Sequence, residues 1–162
     1  MKPEEIAKKY IGQTEIPGNK GFNNADFEAK MKAVGFQPTH AWCCYFAELV
    51  FKEAFPEKFK DLDKLFSAST VQTFNNFKKA NYVISDVPVK GYLVIWQNQK
   101  DGVPQSTGHA GIVTDVYNKE LFKSIEGNTN DQGGREGYIV AEKLRKVKKV
   151  QNGLQVLGFV KI

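Results

Sequence analysis

Apolar residues recur with two different periods along the chain, and the change near Pro88 separates a helical half from a strand-rich half. In the first half, Pro3 followed by Glu4 and Glu5 predicts a short helix that Gly12 ends. Residues 16–21, Ile-Pro-Gly-Asn-Lys-Gly, read as a loop. Residues 24–33 predict a second helix, with Phe27 and Met31 four apart and Gly35 as its stop. A third helix is predicted over 42–54. It is apolar almost all round through Tyr45, Phe46, Leu49, Val50 and Phe51, and such a helix belongs at the centre of a domain. Amphipathic stretches at 57–65 and 69–79 add two more. After Pro88, short β-rich runs broken by Gly, Asn and Asp predict strands at 92–97, 110–117, 121–126, 138–143 and 155–162. Asn118-Lys119 suits a tight connection between the second and third of these. Helices first and strands afterwards make an α+β domain, with N-terminal helices packed on a mostly antiparallel sheet of about five strands.

Composition narrows this picture. With 162 residues the chain is expected to form one domain, 1–162, and 41% hydrophobic with 25% charged residues is ordinary for a globular protein. Its only cysteines, Cys43 and Cys44, are neighbours, so no disulfide framework forms and both thiols are left for chemistry or packing. No run of eighteen apolar residues predicts a membrane span, and MKPEEIAKKYIG lacks the apolar core of a signal peptide. Synthesis in the cytoplasm without a leader is therefore expected, and a monomer. Net charge is +5, partly from Lys143, Arg145, Lys146, Lys148 and Lys149. That run reads first as a solvated face. Its sharper reading is attraction to a polyanion, and with no nucleic-acid motif beside it an envelope polymer is favoured over nucleic acid.

Three segments carry candidate chemistry. Cys43 falls within the first turn of the predicted central helix, where free backbone N–H groups and the helix dipole favour an anion such as a thiolate. Cys44, rotated by about 100° from it, is expected to pack. His109 lies in Gly108-His109-Ala110-Gly111-Ile112-Val113, entering a strand beside glycines that permit close approach. Glu126 and Asn128, in Ile125-Glu126-Gly127-Asn128, are two apart and so share a strand face. One of them can accept a hydrogen bond from the imidazole and fix its tautomer. His40 is a weaker base because it shares a short segment with Cys43. A zinc site from His40, Cys43, Cys44 and His109 is disfavoured, since adjacent cysteines diverge and no C-x-x-C spacing is present. The segment from Asn19 to Asp26 has too few carboxylates for calcium. Neither a metal nor a cofactor is expected.

In this order, Trp42-Cys43-Cys44-Tyr45-Phe46, the Gly108-His109 strand and the Glu126-Gly127-Asn128 segment resemble the cysteine- and histidine-dependent amidohydrolase/peptidase (CHAP) family of papain-like cell-wall hydrolases. Tyr10-Ile11-Gly12 and Glu15-Ile16-Pro17-Gly18-Asn19 are similar to the leader of one branch of it. The resemblance implies a papain-like domain with Cys43 as nucleophile and His109 as general base. It also implies that Glu126 orients the histidine and that Asn128 supports the site. Two departures stand out: Gly91-Tyr92 replaces the Gly-Asp of many relatives, and Cys44 replaces a small residue.

Together these readings predict a peptidoglycan hydrolase, an N-acetylmuramoyl-L-alanine amidase or an endopeptidase, working through a thioester. A phage endolysin or an injected wall-degrading effector, the latter with an inhibitor protein as partner, would meet such a substrate at the envelope. The competing expectations are a cysteine peptidase or acyltransferase acting on protein, and a wall-binding module without turnover.

Overall fold

The computed structural model describes residues 1–130, 137–148, 150–151 and 153–162. Five α-helices precede most of the sheet: α1 (Pro3–Lys8), α2 (Ala25–Ala33), α3 (Cys43–Ala54), α4 (Phe59–Leu65) and α5 (Thr70–Lys79). A 3-10 turn, Pro56–Lys58, introduces α4. The helix starts follow from capping. Asn24 accepts a hydrogen bond from the Phe27 N–H, and Ser69 from the Gln72 N–H, so each stands just outside its helix. Among the described residues, no helix is long and apolar enough to cross a membrane.

The strands are β1 (Glu15–Ile16), β2 (Gly21–Phe22), β3 (Ile84–Ser85), β4 (Leu93–Lys100), β5 (Val103–Val116), β6 (Leu121–Thr129), β7 (Ile139–Lys146) and β8 (Leu154–Val160). Six of them form one sheet in the order β3-β8-β4-β5-β6-β7, and every pairing described is antiparallel. The α+β expectation is met, with one strand more in the sheet than predicted. Residues 16–21, read as a loop, instead connect and contribute to the β1–β2 hairpin, in which Glu15 faces Phe22. The connection after β5 is longer than Asn118-Lys119 suggested. Asn118 Oδ1 accepts from the N–H groups of Glu120 and Leu121, rounding residues 117–120 into a four-residue turn.

Helix α3 is the hub, packed against β5 and β6 with α1 and α2 around it. Its Phe46, Ala47, Val50 and Phe51 join Ile95, Ala110, Ile112 and Ile125 of the sheet in one core. This is the setting expected for an all-round apolar helix. The other sheet face has its own smaller cluster, including Trp96, Val113, Phe122 and Phe159. Trp42 opens α3 as its N-cap residue and is fully buried, and its indole N–H donates to Glu15 Oε2 at 2.6 Å. The β1–β2 hairpin thereby pins the residue immediately before Cys43.

Candidate active site

The two cysteines separate as expected of adjacent residues on a helix. Cys44 belongs to the apolar core, and its thiol meets the Thr73 hydroxyl at 3.3 Å. Burial pushes its pKa far above the ordinary thiol range, and the neighbouring Cys43 adds to the rise. Cys43 is the first residue of α3 and lies outside that core. No side chain caps this helix start, so the first-turn N–H groups around Cys43 have no side-chain acceptor. Cys43 lines a cleft of about 480 Å³ between α3, the start of α5 and the strand entering His109.

His109 is fully buried, and its ring packs 5.6 Å from that of Trp96. Its Nε2 lies 2.8 Å from Glu126 Oε2, while Nδ1 has no hydrogen-bond partner among the described residues. Nδ1 is thus the nitrogen left for the Cys43 thiol. Burial pulls the imidazole pKa down, but interaction with Cys43, and then with Glu126, outweighs it and raises the value to about 9. A raised value means the protonated ring is favoured in the fold. Its stabilising contribution is complete below about pH 6.5, the free-histidine range, and is lost as pH rises through about 9.

Glu126 is the centre of a buried polar knot. Ser124 Oγ donates to its Oε1 at 2.6 Å, and Arg145 reaches it with two donors, Nε to Oε1 at 2.8 Å and Nη2 to Oε2. Burial raises its pKa, but the Arg145 charge overcomes this, with a further push from His109, and brings it down to about 2. The carboxylate is therefore ionised at any pH where the enzyme would be assayed. Arg145 in turn lies 5.0 Å over the Trp96 ring, so the guanidinium is sandwiched in place.

Arg145 is where the sequence reading needs correction. The sequence groups it with a solvated or polyanion-seeking run, yet only 3% of it is exposed. In β7 alternate residues face opposite ways, and Arg145 pairs across the ladder with Phe122, on the sheet face that carries the smaller cluster, whereas Lys146 is exposed. Lys149 lies outside the described residues. The local pattern Lys143-Leu144-Arg145-Lys146-Val147 hides this, because the apolar Leu144 is exposed like Lys146 while the charged Arg145 between them is buried.

Of the two candidate partners for His109, the structure brings only Glu126 to it. Asn128 is fully buried, but a bulge between Glu126 and Thr129 interrupts the period-two pattern, and Asn128 takes φ 53°. Its amide forms no hydrogen bond among the described residues. His40 is committed elsewhere, its Nδ1 3.0 Å from the Tyr45 hydroxyl. Glu15 was noticed only as part of a leader motif. Its role as acceptor for the Trp42 indole emerges only from the fold.

The described residues hold no cluster of three or more His, Cys, Asp or Glu suited to a metal ion. What they do assemble is a thiol at a helix start, an imidazole beside it and an ionised carboxylate behind the imidazole. That arrangement can generate a thiolate–imidazolium pair. No curated protein and no solved structure matches the chain. The CHAP domain family model matches residues 35–128, a span that holds Cys43, His109, Glu126 and Asn128. More than half of the chain is covered, and the protein belongs to the CHAP domain family of amidohydrolases and peptidases.

Proposed function

We propose that the chain is a peptidoglycan hydrolase of papain-like design that cleaves an amide through a Cys43 thioester. The observation that carries this reading is His109 held by Glu126 on one nitrogen and left free toward Cys43 on the other, beside an open cleft. In the proposed cycle, Cys43 Sγ attacks the amide carbonyl, and first-turn N–H groups of α3 receive the developing oxyanion. The tetrahedral species collapses, the C–N bond breaks, and the His109 proton passes to the leaving amine. Water then adds to the thioester as His109 takes its proton, and the C–S bond breaks to release a carboxylate. Arg145 and Ser124 keep Glu126 ionised and fixed, and Glu126 keeps the ring in register. The amide could join glycan to stem peptide or lie within the stem or cross-bridge. Family membership favours the wall as substrate over a protein.

Purified protein is expected to release soluble fragments from isolated peptidoglycan, and mass spectrometry of new amino and carboxyl ends identifies the cleaved bond. Release of fragments from casein but none from peptidoglycan would overturn the substrate assignment. Binding to insoluble wall without release would instead indicate a module without turnover. The rate should also fall on the alkaline side with a midpoint near pH 9, where the imidazolium that protonates the leaving amine is lost. Glu126→Gln should move that midpoint to lower pH, because a charge that favours the protonated ring is gone. A pH–rate profile of both proteins checks this, and an unmoved midpoint would refute the Glu126–His109 coupling.

A further inference from the structure

The wall of the cleft opposite Cys43 has a feature that the catalytic cycle does not use. Thr70 is 3% exposed, and its Oγ1 has no hydrogen-bond partner among the described residues. It lines the same cleft as Cys43, together with Ala41, Ala68, Ser106 and Gly108. A Cβ on Gly108 would stand 2.0 Å from the Trp96 carbonyl oxygen and 2.6 Å from this hydroxyl, so glycine is what lets the strand approach the start of α5 this closely. Leaving a buried hydroxyl unpaired is unfavourable, and such a group at a cleft wall points to a partner that arrives with the ligand.

A second observation indicates the ligand's chemistry. Thr70 is the first residue of the ten-residue α5, and the Ser69 side chain is already engaged by the Gln72 N–H at 3.2 Å. By helix geometry the N–H groups of Thr70 and Val71 have no acceptor within the helix, and Ser69 and Thr70 place the positive end of α5 on the lining of the cleft. Among the described residues no acidic side chain lines the cleft, and the lining residues are all small. Three donors on a positive helix end suit a carboxylate, and walls of Ala, Gly, Ser and Thr suit a peptide with small side chains.

We propose that Thr70 and the first turn of α5 form a substrate subsite that binds a carboxylate of the peptide, beside the bond presented to Cys43. This rests on the peptidoglycan-hydrolase reading, whose stem peptides carry both carboxylates and small residues. The test uses the full chain and two soluble peptidoglycan fragments that differ only in having their stem carboxylates free or converted to carboxamides. On the free-carboxylate fragment, Thr70→Val should raise KM by about tenfold or more with kcat little changed, as expected for loss of a hydrogen bond to a charged group. Thr70→Ser should restore the wild-type KM. The carboxamide fragment should show a raised KM with the wild-type protein, and Thr70→Val should raise it by much less than on the free-carboxylate fragment, because only a neutral acceptor is left to lose.

An unchanged KM for Thr70→Val on the free-carboxylate fragment would overturn the subsite. Equal losses on both fragments would also do so, since they would mark a merely structural residue. Should Thr70→Val fail to fold, equal KM values of the wild-type protein for the two fragments refute the proposal on their own. Failure of the wild-type protein to cleave either fragment is a separate result, which removes the hydrolase reading and the subsite with it.

Discussion

Replacing Cys43 with alanine is expected to lower kcat by at least about a thousandfold, the scale on which loss of a covalent nucleophile is felt. The same change at Cys44 should leave kcat close to wild type. The contrast follows from their surroundings. Cys43 is 4% exposed and opens α3 on the cleft beside His109, whereas Cys44 is fully buried and packed in the core against Thr73. The cost at Cys44 should be in stability, about 1 kcal/mol for a small core truncation, read from urea denaturation. Iodoacetamide should accordingly modify the native protein once, at Cys43, so the second thiol does not complicate labelling. Comparable activity losses in the two variants would contradict the assignment of the nucleophile.

Arg145→Met carries the second large expected effect. It should destabilise the fold by about 3–5 kcal/mol, since the Glu126 carboxylate would remain buried without its cation. It should also reduce kcat, because Glu126 would no longer be clamped at two points behind His109. Lysine at this position is a poor substitute, as a single ammonium cannot reproduce a two-pronged contact. Pairing Arg145→Met with Glu126→Gln should recover much of the stability and none of the activity, which separates the two roles. Urea denaturation and wall hydrolysis on the single and double variants supply the numbers. An Arg145→Met protein within about 1 kcal/mol of wild type would show the ion pair to be dispensable. Acid titration offers a second view. The Glu126 pKa is depressed to about 2, so its contribution is complete above about pH 4.5 and is lost as pH falls toward 2.

Much of this was legible in the residue pattern because the strongest elements are locally determined. The five helices lie within a few residues of where the apolar period puts them, although the predicted starts Asn24, Trp42 and Ser69 stand just outside as cap residues and the first helix stops at Lys8 rather than Gly12. Strand ends were read less well. Asp101-Gly102 is a tight-hairpin dipeptide with both residues at positive φ, yet the predicted strands stopped at 97 and began again at 110. The segment between them, with Gln99, Pro104, Gln105, Ser106 and Thr107, has too little apolar alternation to announce a strand. Cys43, His109 and Glu126 were recognisable because each sits in a local motif. Arg145 and Glu15 were not, since their importance comes from partners 19 and 27 residues away. Asn128 shows the limit of period-two extrapolation: glycine followed by asparagine inside a strand is where a bulge and a positive φ are tolerated, and the structure has both there.

The buried Arg145 contact also governs how this domain can be shortened or exchanged. A chain trimmed to the matched residues 35–128 would keep Cys43, His109 and Glu126 but forfeit β7, β8 and the β1–β2 hairpin. The sheet would lose the strand that lies between β3 and β4, Glu126 would lose its cation, and the Trp42 indole its acceptor. Grafting the proposed site onto another scaffold, or swapping halves with a relative, therefore has to move residues 15 and 145 along with Cys43, His109 and Glu126. The transplantable unit is wider than the motif that identifies it.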